Sequence, residues 1–351
     1  MTIKPLTKEF EKSWSKYLLH NSDASIYHTL KWRDILIKEY NFKHKYLIAL
    51  NSNDNIIGVF PIFLIKNLTG SKLISLPCSQ WGGCIVDNEN IVEKFLNYII
   101  SKKNEWGYKK AVIKFNKHLK KDYPNFQKQN EQLLCSVNTS LSFDDLKKSF
   151  SRNKKRNYKK CKDAGIKVFD CTNHKDLKNI YELEVNLRKR QGVPIPSYKY
   201  FKLLLDTFSK EKNIKIMGAK DKNSNLLAAE LFFTFKNNAV NGYSVTQSKS
   251  NNKLSPITMV QWEEIKHCTI SNKIHTLYFG STDKNASGIL KYKQKWGTSC
   301  KEISNLYYPK SGIVTSISKK GKIYSLFLFT QKLIPKFIFK RIGKYTIKYL
   351  T

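Results

Sequence analysis

Apolar positions along the chain switch between helical and extended spacing, in an order that predicts mixed α/β domains. Apolar and aromatic residues recur at helical spacing on either side of Asn21-Ser22-Asp23, which predicts two helices within residues 6–40. Residues 46–65 read as a β-hairpin whose second strand is almost entirely apolar. A strand over 72–77, a helix over 90–106 and a strand over 110–115 follow. This order indicates an α+β or α/β fold and excludes a helix bundle or a β-sandwich.

The second half of the chain repeats this rhythm. The pattern predicts helices over 175–190, 197–209 and 255–270, and strands over 214–219, 226–235, 239–245 and 276–279. The hairpin at 214–235 matches the hairpin at 46–65 in type, which indicates an internal duplication. We therefore expect an N-terminal domain over 1–145, a C-terminal domain over 146–310 and a separate tail over 311–351. The expected junction lies in the basic stretch from Phe143 to Asp163.

The net charge of the chain is large, but it narrows the possible functions only a little. The 351 residues carry 63 lysines and arginines against 27 acids, a formal charge of +36. Such an excess is typical of proteins that bind nucleic acid, anionic lipid or phosphorylated substrates. Only six of these bases are arginine, the residue that recognises phosphate geometrically, so the drift in composition that an AT-rich genome produces is an alternative source of the charge.

Several classes of site and location are disfavoured. The seven cysteines are scattered and form no C-x-x-C, so we expect reduced thiols, with neither a disulfide framework nor a zinc ribbon. The histidines form no metal-binding spacing, and no P-loop or G-x-S-x-G motif is present, so no metal site is expected. Since the sequence shows no signal peptide and no membrane-spanning run, we expect a cytoplasmic protein.

Three segments carry candidate chemistry. In the first, at 151–160, Arg152 and Arg156 share one face of a helix together with Lys155 and Lys159, as suits a polyanion, although a solvated basic helix is the alternative. The second is Leu187–Pro196, where Arg188 and Arg190 end a helix. In the third, a strand runs into Gly280-Ser281-Thr282-Asp283 and leaves polar groups at its carboxyl end, a usual ligand position in α/β folds.

The order of these motifs resembles the FemAB-like branch of the GNAT superfamily, which includes peptidoglycan-bridge aminoacyltransferases and BioF2-like acyltransferases. The resemblance covers about residues 25–310. The residues that carry it are Gly58 and Pro61, Ser75-Leu76-Pro77, Trp81-Gly82-Gly83, Arg152 and Arg156, Leu187-Arg188 and Gly192, Ala228–Leu231, Tyr243, Tyr278-Phe279-Gly280 and the ending Lys293-x-x-Trp296-Gly297.

The resemblance implies two tandem GNAT-like domains with mixed central sheets, and transfer of an acyl or aminoacyl group to an amine. It implies a catalytic group drawn from Lys293, Tyr243, Asp283 and Glu230. The residues expected to contact substrate are Arg152, Arg156, Arg188, Trp32, Trp81, Gly82, Phe279, Gly280, Ser281 and Trp296. Glu230, inside an apolar strand, is either a base with a raised pKa or a side chain that faces solvent.

The co-substrate is left open between acyl-CoA and aminoacyl-tRNA, with no permanently bound cofactor expected. The acetyl-CoA fingerprint R/Q-x-x-G-x-G/A is absent, and Ser250–Leu254 occupies its expected place, which puts CoA in doubt. The acceptor is expected to be an anionic cell-envelope precursor or surface glycan. The alternatives are an acyl-CoA-dependent N-acyltransferase of a sugar nucleotide and a non-catalytic protein that binds nucleic acid or membrane.

The last segment differs from the rest in composition. Residues 319–351 hold nine bases and no acid, interleaved with apolar and aromatic residues. This pattern favours a segment that lies on an anionic membrane surface, and the alternative is a pair of helices packed on the body of the protein. With the first interpretation, we expect a monomer bound peripherally to the inner face of the cell membrane.

Overall fold

The computed structural model describes residues 1–67, 70–247, 254–310 and 322–350, and the chain divides into two units. Unit 1 comprises Met1–Leu133 and a returning segment that begins at Lys301. Unit 2 comprises Leu134–Cys300 and the C-terminal helices up to Ile347. The division therefore lies before the expected junction at 143–163, and the end of the expected second domain belongs to unit 1.

Helices and strands alternate along both units. The helices are α1 (Glu11–His20), α2 (Leu30–Tyr40), α3 (Asn90–Ser101), α4 (Lys103–Trp106), α5 (Phe143–Ser149), α6 (Arg152–Asp163), α7 (His174–Gln191), α8 (Tyr198–Phe208), α9 (Pro256–Ile270), α10 (Ser287–Gln294), α11 (Lys322–Leu333) and α12 (Lys336–Leu350), with 3-10 turns at Lys8–Phe10 and Ile26–His28. The strands are β1 (Thr2–Pro5), β2 (Lys43–His44), β3 (Leu47–Leu50), β4 (Ile56–Phe60), β5 (Phe63–Asn67), β6 (Gly70–Ile74), β7 (Ile85–Val86), β8 (Lys110–Lys114), β9 (Gln127–Asn138), β10 (Lys167–Asp170), β11 (Ile214–Lys220), β12 (Leu226–Phe235), β13 (Asn238–Thr246), β14 (Thr276–Asp283) and β15 (Ser299–Tyr308).

Unit 1 contains two sets of strands. In one, β1-β3-β4-β7 are antiparallel throughout. In the other, the order is β15-β8-β6-β5-β2, and β6 and β8 form a parallel pair over three residues, from Lys72 opposite Lys110 to Ile74 opposite Val112. The returning strand β15 pairs antiparallel with β8, from Asn305 opposite Lys114 to Tyr308 opposite Ala111.

Helix α3 supplies much of the core of unit 1. Its apolar positions recur one and four residues apart, so they form a single buried face: Ile91, Val92, Phe95, Leu96 and Ile99. Strand β4 approaches this face at Gly58, where an added Cβ would lie 3.1 Å from side-chain atoms of α3. The close packing of helix on strand therefore depends on a residue without a side chain.

The strands of unit 2 are arranged in the order β10-β11-β12-β13-β14-β9. Neighbours from β10 to β13 are antiparallel, whereas β13 and β14 are parallel. The parallel pairing covers only Asn238–Val240 with Thr276–Tyr278, although both strands continue beyond it. The register of β12 on β13 shifts between Leu231 and Phe232, so the sheet is irregular at the level where the parallel strands part.

Helices cover both faces of the unit 2 sheet, and successive side chains of β12 point alternately to the two faces. Ala228 and Phe232 belong to the buried cluster that contains Val260 and Ile265 of α9. Phe233 points to the other face and lies 5.8 Å, ring centre to ring centre, from Phe208 of α8. Helix α6 is capped at its N-terminus by Ser151, whose side chain accepts from the backbone N–H of Lys154. Helix α7 is capped at its C-terminus by Gly192, which is in the left-handed conformation.

The expectation that every cysteine is a free thiol is wrong for two of them. Cys135 and Cys300, both in unit 2, form a disulfide with their Cα atoms 4.0 Å apart. They are 165 residues apart in sequence, so their proximity arises only when β9 and β15 come together. The remaining cysteines are free: Cys78, Cys84, Cys161, Cys171 and Cys268.

The C-terminal helices α11 and α12 combine a packed face with an exposed one. Gly343 of α12 lies so close to the loop between α7 and α8 that an added Cβ would be 2.2 Å from the carbonyl oxygen of Ile195. Large apolar side chains on the other side are exposed: Leu326, Phe329, Leu333, Phe337 and Tyr345. Residues 311–321 of the expected tail lie outside the described residues. Among the described helices, none combines the length and apolar character needed to cross a bilayer.

Candidate active site

A buried polar cluster in unit 2 lies where β13 and β14 part. Its centre is Glu230 on β12, which is 0% exposed. Glu230 is on the same face of the strand as Ala228 and Phe232, so it points toward α9 and not toward solvent. Directly opposite it on β13 is Ser244, whose hydroxyl lies 2.6 Å from each of the two carboxylate oxygens.

The environment of Glu230 favours its neutral form. Burial raises the pKa of Glu230 to about 8, although hydrogen bonds from Ser244 and Gln261 and the charge of Lys293 act in the opposite direction. A carboxyl group with such a pKa gains and loses protons near neutral pH, as a general base or acid must.

Lys293 on α10 is the cation whose charge acts on the Glu230 carboxylate. Its side chain is 8% exposed, and its Nζ donates to the carbonyl oxygen of Gly280 at 2.7 Å. Gly280 has a φ of +82°, and its carbonyl lies on β14 beyond the last residue paired with β13. Burial lowers the pKa of Lys293 to about 8, opposed by Glu230. The amine is therefore held at the parting of the strands.

Gln261 of α9 connects the cluster to α10. Its amide nitrogen donates to Glu230 at 3.3 Å. Its oxygen accepts from the hydroxyl of Tyr292 at 2.6 Å and from the indole nitrogen of Trp296 at 3.1 Å. Because two donors face the oxygen, the amide can present only its nitrogen to the carboxylate.

A second buried carboxyl group lies one turn further along α9. Glu264 is 0% exposed, and Asn241 donates to its Oε2 at 3.4 Å. Burial and the neighbouring Glu230 hold the pKa of Glu264 well above its usual range. Two carboxyl groups in such an enclosure cannot both be charged, so the pair retains a proton at neutral pH.

The other residues expected on β13, on β14 and near α10 have different roles, and Tyr243 lies on the opposite face of the sheet from Glu230, toward α8. Tyr243 is half-buried, with its ring 4.7 Å from that of Phe201. Asp283 accepts from the backbone of Asn285 and closes the turn after β14. Ser281 is half-buried. Phe279 and Trp296 belong to the apolar core of unit 2.

The three arginines expected to hold phosphate are not brought together with Lys293. Arg152 and Arg156 are exposed on α6, and neither forms an ion pair with another described residue. Arg188 donates to the buried carboxylate of Glu184 at 2.6 Å. Beside Arg188, a cavity of about 550 Å³ presents other cations. It is lined by Leu183, Asn186, Lys189, Arg190, Gln247 and Lys332.

The unit 1 residues expected to contact substrate are part of its core. Trp32 and Trp81 are buried, and both pack edge-on against Tyr27, at 4.8 and 5.5 Å between ring centres. Gly82 donates its backbone N–H to the carbonyl of Lys114 at 2.9 Å. Their positions give them a role in packing, which the pattern of aromatic and glycine residues did not distinguish from binding.

The sequence reasoning missed several members of the cluster. Gln261 and Glu264 are polar residues three positions apart on a helix that is otherwise largely buried, and this was the available signal. Ser244 could be found only from the register of β12 on β13. Lys154 was hidden in a run of bases, although it is the buried one.

Comparisons with known proteins agree with this fold. Residues 117–220 match the sequence model of the FemAB family. The chain is FemAB-like. FemX has a similar structure, with a TM-score of 0.69 and 13% identity, over 93% of this chain and 100% of that chain. A tandem GNAT protein from the clavulanic acid biosynthesis pathway gives a TM-score of 0.57 and 9% identity, over 89% of this chain and 99% of that chain.

A third solved structure, L-PGS from Bacillus licheniformis, is similar to this FemAB-like chain with a TM-score of 0.55 and 9% identity, over 94% of this chain and 98% of that chain. No curated protein sequence matches the chain. At these identities the structures establish the fold, tandem GNAT-like domains. The family match bears out the expected class, an acyl- or aminoacyltransferase. The match ends before Glu230 and Lys293, so the roles of these residues stay predictions.

Proposed function

We propose that this FemAB-like protein transfers an aminoacyl group from aminoacyl-tRNA to an amine of an anionic cell-envelope precursor, with Lys293 and Glu230 as the reacting pair. The observation that carries the proposal is the burial of an amine and a carboxylate together where β13 and β14 part. Each has a pKa of about 8, so both can exchange protons at neutral pH.

Ser244 gives the buried carboxylate a route to the acceptor. Ser244 is exposed, and its hydroxyl bonds to both oxygens of Glu230. As the acceptor nitrogen attacks the ester carbonyl, its proton passes to the serine oxygen while the serine proton passes to the carboxylate. A C–N bond forms, and the C–O bond to the ribose oxygen then breaks.

Lys293 acts on two oxygen atoms of the reaction, the developing oxyanion and the leaving ribose oxygen. Its ammonium group is oriented by the Gly280 carbonyl and remains able to donate to the developing oxyanion. When the tetrahedral intermediate collapses, the same group supplies a proton to the leaving ribose oxygen. Glu230 then returns the proton taken from the acceptor to Lys293, so the cycle closes with no net change in the protein.

The choice of donor rests on the family match and on one sequence feature. The FemAB family match supports aminoacyl-tRNA, and the absence of the R/Q-x-x-G-x-G/A fingerprint argues against CoA. Most of the segment in its place, 250–253, lies outside the described residues. The tandem GNAT structure favours the second candidate, acyl-CoA, so a transfer assay must include both donors.

Phosphates of the two substrates would meet the basic surfaces of unit 2. The cavity beside α7 presents Lys189, Arg190 and Lys332, and none of the described residues that line it is acidic. Arg152 and Arg156 on α6 are exposed and without ion pairs among the described residues, so they are available to the tRNA backbone.

The exposed face of α11 and α12 would bind the protein to the inner face of the cell membrane. Leu333 is 67% and Phe337 is 72% exposed, while Lys332 and Lys336 lie beside them. An apolar face bordered by bases is typical of helices that lie on anionic lipid. Co-sedimentation should detect binding to vesicles containing phosphatidylglycerol and none to phosphatidylcholine vesicles. Changing Phe329 and Phe337 together to serine should weaken binding about tenfold or more.

The transfer reaction is tested with labelled donors. Purified protein is incubated with labelled aminoacyl-tRNA or acetyl-CoA, and with diphosphate-bearing sugar precursors that carry a free amine. We expect label in an acid- and base-stable product, ribonuclease sensitivity, and loss of transfer in Glu230→Gln. Release of free thiol from acetyl-CoA with ribonuclease-resistant transfer would replace tRNA by CoA as donor. Equal transfer by Glu230→Gln would contradict the assignment of the site.

A further inference from the structure

Lys154 is the buried cation that the proposed reaction leaves unused. It lies in the first turn of α6, is 2% exposed, and its Nζ has no hydrogen-bond partner among the described residues. A buried ammonium group without compensation is costly, so its surroundings must supply another form of stabilisation.

Two aromatic rings supply it. The Nζ of Lys154 lies 3.6 Å from the ring centre of Tyr292 and 4.2 Å from that of Trp296. Cation–π contacts of this kind are strongest where water is excluded. Both rings belong to the segment that begins with α10, which also carries Lys293.

The start of α6 is fixed against that segment independently of the lysine. The backbone N–H of Ser151 donates to the carbonyl of Lys295 at 3.0 Å. The ring of Phe150 packs edge-on against Trp296 at 5.1 Å. The approach at Gly297 is so close that an added Cβ would lie 2.1 Å from the hydroxyl of Ser149. Lys154 is therefore delivered to the two rings by a rigid connection.

The polar groups of these same two rings determine the orientation of Gln261. Tyr292 and Trp296 both donate to its oxygen, and its nitrogen donates to Glu230. A cation on the faces of the rings makes their O–H and N–H groups stronger donors and holds the rings in place.

We propose that Lys154 is a positioning residue for Glu230, acting through Gln261. The ammonium group keeps the two aromatic donors on the glutamine oxygen, and the glutamine nitrogen then supports the ionised carboxylate. This inference rests on the proposed function for its role in catalysis, but its effect on Glu230 is a property of the folded protein alone.

The charges around the network set the direction of the effect. Glu230 is faced by Ser244 of β13, by Gln261 and Glu264 of α9, and by Lys293 of α10. Lys154 is faced by the two rings and by Lys295, and burial lowers its pKa to about 7. Loss of the cation removes support for the carboxylate, so the pKa of Glu230 should rise.

The test compares Lys154→Met, which keeps the length and removes the charge, with Lys154→Arg, which keeps a charge able to stack on aromatic rings. Lys159→Met, an exposed lysine on the same helix, is the control. The titration of Glu230 is followed by the ¹³C resonance of its carboxyl carbon, assigned with Glu230→Gln. Because Lys154, with a pKa of about 7, is only partly charged near the Glu230 midpoint, we expect that midpoint to move a few tenths of a pH unit higher in Lys154→Met. It should not move higher in Lys154→Arg, which stays charged, and it should not move in Lys159→Met.

Where transfer is measured, kcat of Lys154→Met should fall about tenfold with KM nearly constant, and Lys154→Arg should restore it. Tyr292→Phe keeps the ring and removes the hydroxyl donor, and the midpoint should move part of the way, so the inference remains testable if Lys154→Met does not fold. An unchanged midpoint in folded Lys154→Met, or in Tyr292→Phe where the methionine variant is unfolded, overturns the inference. A moved midpoint in a protein without transferase activity would refute the proposed function and leave this inference standing.

Discussion

In both units two parallel strands are hydrogen-bonded over three residues, and the chain fills the space beyond them in different ways. In unit 1, β6 ends at Ile74 and the next part of the chain bonds back along β8. Gly82 and Gly83 both donate to the carbonyl of Lys114, at 2.9 and 2.6 Å. In unit 2, both strands continue apart.

In unit 2, a helix lies where the two parallel strands part, and it places a charged side chain there. Helix α10 delivers Lys293 to the Gly280 carbonyl, near Glu230. Unit 1 has its own backbone at the comparable position, and its buried histidine, His28, is 3.2 Å from the carbonyl of Gly83. The comparison indicates that the same order of helices and strands can produce either a packed core or a reactive site. Which of them forms depends on the segment that lies beyond the parallel strands.

The strongest way to break this comparison is to remove one lysine from each unit, the buried Lys293 and the half-buried Lys114. Burial lowers the pKa of both Lys293 and Lys114 to about 8, so the two are closely matched. We expect Lys293→Met to lower kcat by about 10²- to 10³-fold, since an oxyanion donor is lost. Lys114→Met should leave kcat within about twofold. Equal losses in the transfer assay would place chemistry in both units.

The packing role of unit 1 can be tested at Gly82. An added Cβ would lie 2.4 Å from the Cβ of Leu76, whereas at Gly288 of α10 nothing lies within 4 Å. We expect Gly82→Ala to lower the free energy of unfolding by about 1–3 kcal/mol through overpacking. Gly288→Ala should raise it by up to about 1 kcal/mol, since alanine favours a helix. Urea unfolding followed by circular dichroism measures both.

The two units should also respond oppositely to pH. The pKa of Glu230 is raised from 4.5 to about 8 by burial, so the folded state holds the proton and stability falls as pH rises between these values. The pKa of His28 is lowered from 6.5 to about 4 by burial, so stability falls as pH drops from 6.5 toward 4.

Substituting Glu230 or His28 should remove only the change of stability with pH that the substituted residue causes. Relative to the wild type, Glu230→Gln should gain stability from pH 5 to pH 8, and His28→Gln should gain stability from pH 6.5 to pH 4.5. Urea unfolding at several pH values tests both signs. A difference from the wild type that does not vary with pH would show that the carboxyl or imidazole group titrates normally.

Away from the parted strands the units should behave alike, and here the smallest effects are expected. Asp23 pairs with Lys117 at 2.6 Å in unit 1, and Glu182 pairs with Lys336 at 3.0 Å in unit 2, with all four side chains partly exposed. Asp23→Asn and Glu182→Gln should each cost about 0–1 kcal/mol, and less in high salt. A larger loss in thermal unfolding would give these pairs a role beyond surface electrostatics.

The sequence predicted those features that depend on local patterns. The hairpin over 214–235 and the helices over 175–190, 197–209 and 255–270 follow from periodicity, and the structure has them close to the predicted bounds. The predicted second strand of the first hairpin, over 56–65, is instead divided into β4 and β5, which belong to different sheets. Glu230 could be singled out because a charge in an apolar strand is unusual. The family resemblance singled out the ending Lys293-x-x-Trp296-Gly297, which begins on α10, although no helix was predicted there.

The features that escaped prediction depend on contacts between distant segments. The pairing of Cys135 with Cys300 needs strands from opposite ends of the second half. The role of Ser244 depends on register, and periodicity could not separate buried Lys154 from its exposed neighbours. Trp32 and Trp81 have the composition of a binding surface and the burial of a core, and only coordinates distinguish the two.

The return of β15 to β8 has a consequence for the order of folding on the ribosome. Strand β8 pairs with β6 on one side, and it obtains its second partner from Asn305–Tyr308 only after the residues Leu134–Cys300 of unit 2 have been synthesised. The edge of β8 that β15 will occupy therefore stays unpaired while unit 2 is being synthesised. A polypeptide that stops after residue 145 would keep this edge unpaired and, for that reason, should associate with itself more readily than the complete chain.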